Sequence, residues 1–132
     1  MKKLEGNPER IIASICFDSR KVISDCVFVA TRGTISDGHS YIAMAIEKGA
    51  AAIVCEELPL ERKPEVVYIL VENSSKTLGQ LCSNYYDRPS AKLTLVGVTG
   101  TNGKTTTATL LYHMFRKLGY KVGLISTVVY YV

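Results

Sequence analysis

The stretch "GVTGTNGKTTTATLL", residues 97–111, decides how this chain is read. It follows the apolar run Leu93–Val96, which predicts a strand, and it opens a segment of helical period. Between the two lie Gly100, Thr101, Asn102, Gly103, Lys104, Thr105 and Thr106. Glycines at 100 and 103 permit the backbone angles of an anion-binding nest, in which successive N–H groups point inward. The helix behind the loop aims its unpaired amides and positive dipole end at the same spot. Lys104 supplies a full charge for the β- and γ-phosphates of a nucleotide such as ATP, and is the expected catalytic residue. The Thr105 hydroxyl is suited to hold Mg²⁺. The common G-x-x-x-x-G-K-[ST] pattern wants glycine at 98, where Val98 stands; Gly97 falls one place early, so the match is to a variant. A plain glycine turn with an incidental lysine is the alternative.

Downstream, Ala108, Leu111, Phe115 and Leu118 fall on one helical face, Gly119 is placed to end the helix, and "YKVGLISTVVYYV" (120–132) predicts another strand. Upstream, "IIASICF" (11–17), "CVFVA" (26–30), "AAAIVC" (50–55) and "VVYILV" (66–71) predict strands. Ile42, Ala45 and Ile46 mark a helix ended by Gly49. A second helix, capped by Ser74, presents Leu78, Leu81, Cys82 and Tyr85. Pro89 breaks it, which sets a boundary between a domain at 1–88 and another beginning at 89–132. The fold class is therefore α/β: a small α/β domain, then the first strand, P-loop, helix and strand of a truncated P-loop ATPase domain.

Composition narrows the function classes. Of 132 residues, 47% are hydrophobic, and 16 basic against 12 acidic side chains give a net charge of +4. The basic residues are scattered without interleaved aromatics, which argues against nucleic acid as partner. No run approaches the roughly 18 apolar residues of a membrane span, and "MKKLEGNPER" lacks the apolar core of a signal peptide. Cys16, Cys26, Cys55 and Cys82 lie far apart with no C-x-x-C pair, as suits free thiols in a reducing, cytoplasmic setting.

"GVTGTNGKTTT" resembles the ATP loop of the Mur ligases, which build the peptide stem of peptidoglycan. "FDSRKV" (17–22), "VFVATRG" (27–33) and "DGHSYIAMAIEKGAAAIVCE" (37–56) resemble the N-terminal domain of the members that add the third residue or the terminal dipeptide. The Thr101–Asn102 pair favours the third-residue members. The resemblance implies an ATP-dependent amide ligation. A carboxylate of UDP-N-acetylmuramoyl-dipeptide would be activated as an acyl phosphate and attacked by the amine of a diamino acid, meso-diaminopimelate or lysine. It places Phe17 and Ser19 at the UDP end of that substrate, with Thr34, Ile35 and Ser36 beside them. Asp18–Ser19–Arg20 is open to a plainer reading, as a turn with Arg20 paired to Asp18. Asp37 and His39 suit bracing and capping, and His113 a surface place. Ile23-Ser24-Asp25 stands where the family has proline-glycine-aspartate. Alternatives to the third-residue ligase are the dipeptide-adding ligase, a folate polyglutamate synthetase and a stand-alone nucleotide-binding module. The chain alone is expected to be inactive, and its apolar C-terminal strand to leave an open edge able to pair with another copy.

Overall fold

The structure, a computed structural model, describes residues 3–5, 11–33 and 36–131. The chain divides into two compact units, Met1–Lys92 and Leu93–Val132.

In the first unit the apolar runs at 26–30 and 50–55 become strands that are buried on both faces, whereas the run at 11–17 is half-buried and pairs only over its middle, with Ile11 and Phe17 exposed. The described strands are β1 (Lys3–Glu5), β2 (Ser14–Cys16), β3 (Cys26–Val29), β4 (Ala52–Cys55) and β5 (Val67–Leu70), in the spatial order β1-β5-β4-β3-β2. Strands β2 to β5 run parallel, and β1 is antiparallel to β5. Helix α1 (Ile42–Glu47) joins β3 to β4, and α2 (Ser74–Tyr85) follows β5.

Successive strand residues point to opposite faces, and the two resulting cores are distinct. Cys26, Phe28, Ile53, Cys55 and Tyr68 pack with Ile42 and Ala45 of α1. Val27, Val29, Ala52, Val54 and Val67 form the other face, on which Leu78 and Leu81 of α2 rest. Phe28 and Val29 are neighbours in one strand, yet each exposes no more than 1% of its surface. That double coverage is why the runs read as continuous rather than alternating. Burying a side chain of this size contributes about 1.5–3 kcal/mol.

Helix α1 ends at Gly49, whose N–H bonds to Ile46 O while Ala50 N–H bonds back to Ala45 O. Helix α2 ends the same way without glycine: Asp87 and Arg88 take φ of +56° and +49°, and Arg88 N–H reaches Ser83 O at 2.6 Å. Asn73, not Ser74, caps α2, its side chain accepting from Lys76 N–H at 2.7 Å. Ser74 is instead the first helical residue, fully buried, because its hydroxyl has a carboxylate partner. Tyr85 remains 47% exposed rather than joining the apolar face, its hydroxyl donating to Ala13 O. The Ile23-Ser24-Asp25 turn holds Asp25 at φ +59°, with its N–H bonded to Gly49 O.

The second unit departs from expectation at both of its predicted strands. Residues 93–99 take no regular structure, and Leu93, Leu95 and Val96 are 63–70% exposed. A strand exists only against a hydrogen-bonded neighbour, and none of the described strands pairs with this run. Helix α3 (Lys104–Lys117) forms as predicted and closes at Gly119 (φ +87°), with the Phe115 and Tyr120 rings in contact across the turn. Leu118 lies 64% exposed instead of on the packed face. The apolar tail is not one open strand but a hairpin: β6 (Leu124–Ile125) pairs antiparallel with β7 (Tyr130–Tyr131). The turn closes because Ser126 N–H and its hydroxyl both donate to Val129 O. Tyr131 stacks on Tyr112 of α3, ring centroids 4.9 Å apart. The edge expected to recruit a second copy is thus partly used within the unit. No described helix is long and apolar enough to cross a membrane.

Candidate functional site

Two regions of the first unit collect the polar residues singled out by sequence, both beyond the carboxyl ends of parallel strands. After β2, Asp18 caps a 3-10 turn over Ser19–Lys21. Its carboxylate accepts from Arg20 N–H at 3.0 Å and pairs bidentately with the Arg20 guanidinium at 2.9 and 2.8 Å. Those bonds, the side-chain one foremost, hold the Asp18 carboxyl down at about 2. The plainer turn is therefore present, and it leaves Ser19 half-buried with its carbonyl bound to Lys48 Nζ at 2.9 Å. Phe17 is 63% exposed beside it, on the rim of a shallow depression shared with Ile15, Cys16 and Lys21.

After β3 the described residues on either side of positions 34 and 35 are bonded to one another. Arg32 bridges Asp37, Gly33 N–H bonds to Ser36 O at 3.0 Å, and Gly38 N–H bonds to Thr31 O at 2.9 Å. A Cβ on Gly38 would lie 2.7 Å from Thr31 O, so the loop closes only with glycine there. Ser36 is exposed; Thr34 and Ile35 lie outside the described residues.

Asp37 caps the next 3-10 turn by accepting His39 N–H at 2.9 Å, and that bond holds its carboxyl below the usual value. The His39 ring spans the gap to β4: Nδ1 lies 2.6 Å from Asp37 Oδ1, and Nε2 accepts Glu56 N–H at 2.9 Å. A backbone amide only donates, so Nε2 carries no proton and the ring is the neutral Nδ1–H tautomer. Glu56 Oε1 accepts both the N–H and the hydroxyl of Ser74, each at 2.9 Å, which lowers its pKa. Arg32 lies 3.5 Å from Glu56 Oε2 and pairs with Glu57. Sequence reasoning missed the Arg32, Glu56 and Ser74 members of this network; only the position of Glu56 just past a buried strand hinted at one.

The third region, in the second unit, is the loop 100–106. Gly100 and Gly103 have φ of +145° and +76°, angles a side chain would resist. Gly103 takes the N-cap place without a side-chain cap, and the first intrahelical bond runs from Thr107 N–H to Gly103 O. The amides of Lys104, Thr105 and Thr106 therefore precede the helical ladder. The Lys104 ammonium folds over the loop onto Gly100 O and lies 3.5 Å from Thr101 O. Thr105 is half-buried in the first turn. Among the described residues no group of three His, Cys, Asp or Glu side chains forms a metal site. His113 is exposed, edge-on to Tyr112.

A parallel α/β unit followed by a glycine loop and helix defines a class, and comparison with known proteins places the chain within it. The model of the "Mur ligase family, catalytic domain" matches residues 11–86, and that of the "Mur ligase middle domain" matches residues 98–132. The chain belongs to the Mur ligase family.

It is 59% identical over 126 residues to the UDP-N-acetylmuramoyl-L-alanyl-D-glutamate--2,6-diaminopimelate ligase of Cytophaga hutchinsonii, covering 95% of this chain and 26% of that enzyme. The ligase of the same name from Bacteroides fragilis is 55% identical over 98% of this chain and 27% of its own length. The chain thus spans about a quarter of the curated relatives it matches. Among solved structures, the MurF ligase of Thermotoga maritima in complex with ADP is 35% identical, with a TM-score of 0.60 over 79% of this chain and 23% of that one. A UDP-N-acetylmuramoyl-L-alanyl-D-glutamate--2,6-diaminopimelate ligase shares the fold, with a TM-score of 0.69 at 21% identity over 90% of this chain and 24% of that one.

These relatives correct the functional expectation. A third-residue ligase of open amino-acid choice, with the dipeptide-adding ligase as alternative, gives way to the 2,6-diaminopimelate ligases. The curated relatives give the dipeptide-adding alternative no support. A shared loop and domain pattern had left that choice open in the sequence.

Proposed function

We propose that this chain is the substrate-docking and ATP-loop portion of a 2,6-diaminopimelate-adding Mur ligase. It would act on UDP-N-acetylmuramoyl-L-alanyl-D-glutamate in the cytoplasm. The observation that carries the reading is the 59% identity over 95% of the chain to a ligase of that name.

In this reading residues 1–88 bind the UDP end of the substrate. Ser19, offered by a turn that Asp18–Arg20 and Lys48 fix from both sides, meets the uridine, with Phe17 as an apolar wall. Thr34, Ile35 and Ser36 supply hydroxyls and backbone groups of the kind that read a uracil edge or a ribose. Residues 89–132 open the ATP-binding domain: the amides of Gly100–Thr106 surround the polyphosphate, and Lys104 exchanges its two carbonyl partners for phosphate oxygens. That neutralises the charge which builds on the transferred phosphoryl group. The site fits Mg²⁺ in that a hydroxyl, Thr105, stands in the first helical turn beside the loop. The ion, when bound, would polarise the phosphates.

Titration calorimetry on the chain tests this. UDP and UDP-N-acetylmuramoyl-L-alanyl-D-glutamate are expected to release heat, and Ser19→Tyr to abolish it. In the ligase carrying this chain, Lys104→Met is expected to remove nearly all turnover, read by ADP release. Normal turnover with Lys104→Met, or no heat with either uridine compound, overturns the corresponding half.

A further inference from the structure

We infer that His39 is the positioning residue of the uridine-side loop, holding Ser36 in place through a clamp onto the end of β4. The inference rests on the reading of Ser36 as a substrate contact and goes beyond it by naming what fixes that contact.

The geometry is a continuous chain of bonds. Ser36 is tied to Gly33 across the loop, and the next residue, Asp37, bridges Arg32. Asp37 meets the His39 ring at 2.6 Å, and the ring accepts Glu56 N–H at 2.9 Å. Glu56 follows the last residue of β4, so its amide lies past the strand ladder and His39 is its partner. Its carboxylate then anchors the first turn of α2 through Ser74. The His39 side chain is 13% exposed, against 47% for Asp37. A ring held on both nitrogens, with so little freedom, fixes the angle at which the loop leaves the sheet. Nothing in the proposed chemistry needs His39 itself; what needs it is the place of Ser36.

The experiment uses the 132-residue chain, with UDP as the probe in calorimetry and amide hydrogen exchange as a second readout. His39→Phe keeps the ring volume and loses both bonds. It is expected to weaken UDP about tenfold and to speed exchange at Glu56 and Gly33 by a similar factor. His39→Gln, whose amide oxygen reaches the Glu56 N–H, restores both to within about threefold. A merely space-filling His39 predicts the opposite ranking, with Phe the better substitute, and that result overturns the inference. Unchanged exchange at Glu56 and Gly33 in His39→Phe overturns it as well. Should the Phe variant not fold, His39→Asn, which lacks the far acceptor, takes its place against Gln with the same expected ranking. If the unsubstituted chain takes up no UDP, the uridine reading fails, while exchange at Glu56 and Gly33 still decides the clamp.

Discussion

Replacing Ser74 by alanine removes one hydroxyl from a site with no exposure to solvent. That hydroxyl donates to Glu56 Oε1 at 2.9 Å, a charge-assisted bond of the kind that contributes about 1.5–3 kcal/mol. The lower end applies here. Glu56 keeps the Ser74 N–H at 2.9 Å and Arg32 at 3.5 Å, so no buried group is left without a partner. A loss of about 1.5 kcal/mol in a unit of this size lowers its thermal midpoint by about 6–12 °C. Circular dichroism on heating, with urea unfolding beside it, measures both quantities. The acid side adds a second signature. Bonds from Ser74, its N–H first and its hydroxyl next, depress the Glu56 carboxyl from its ordinary 4.5. The stability it contributes is full above that pH and is lost as pH falls through the lower folded value. Ser74→Ala should flatten that loss. A midpoint within about 2 °C of the parent, or a double-mutant cycle with Glu56→Gln giving a coupling under about 0.5 kcal/mol, would refute the reasoning.

Gly38→Ala puts a methyl group 2.7 Å from Thr31 O and 2.8 Å from Thr31 N, both backbone atoms. It should cost about 2–3 kcal/mol in urea unfolding. Arg20→Gln removes the guanidinium that holds Asp18 at about 2. The Asp18 carboxyl, followed by NMR, should then titrate higher but still below the ordinary aspartate value, because the N–H of residue 20 goes on donating to it. In the parent its contribution to stability persists until pH falls through about 2. Cys26 and Cys55 are buried, with thiols pushed up to about 11. Mass spectrometry after brief alkylation at pH 8 should find Cys16 and Cys82 modified first, and the two buried thiols only after unfolding.

The first unit was legible in the sequence because its central parallel strands, β3 and β4, are uninterrupted apolar runs. Phe28, Val29, Ile53 and Val54 announce double-sided burial without help from context. Strand β1 was missed: three residues at a sheet edge, anchored by the ion pair of Glu5 with Arg62, carry no periodic signal. Ser74 looked like a cap because serine favours that place, but Asn73 sits one residue earlier and its side chain has the reach. The loop 100–106 could be read because glycine spacing encodes backbone angle directly. The run Leu93–Val96 misled, since apolarity predicts burial only where a partner surface exists. Most of the Arg32–Asp37–His39–Glu56–Ser74 network was invisible for another reason. Glu56 and Ser74 are distant in the chain from the local Arg32–His39 group and meet it only after the sheet has brought the ends of β3 and β4 together.

The spatial sequence of the sheet also bears on how the chain acquires its structure. Strands β2, β3, β4 and β5 are laid down side by side in the order of synthesis, so each new strand finds its neighbour already waiting. Only β1 breaks the rule, for Lys3 must stay idle until Leu70 arrives to pair with it. Loop closure over such a separation is slow relative to the adjacent pairings. Among the described strand pairs, the one between β1 and β5 closes the longest loop, and its formation is expected to trail the others.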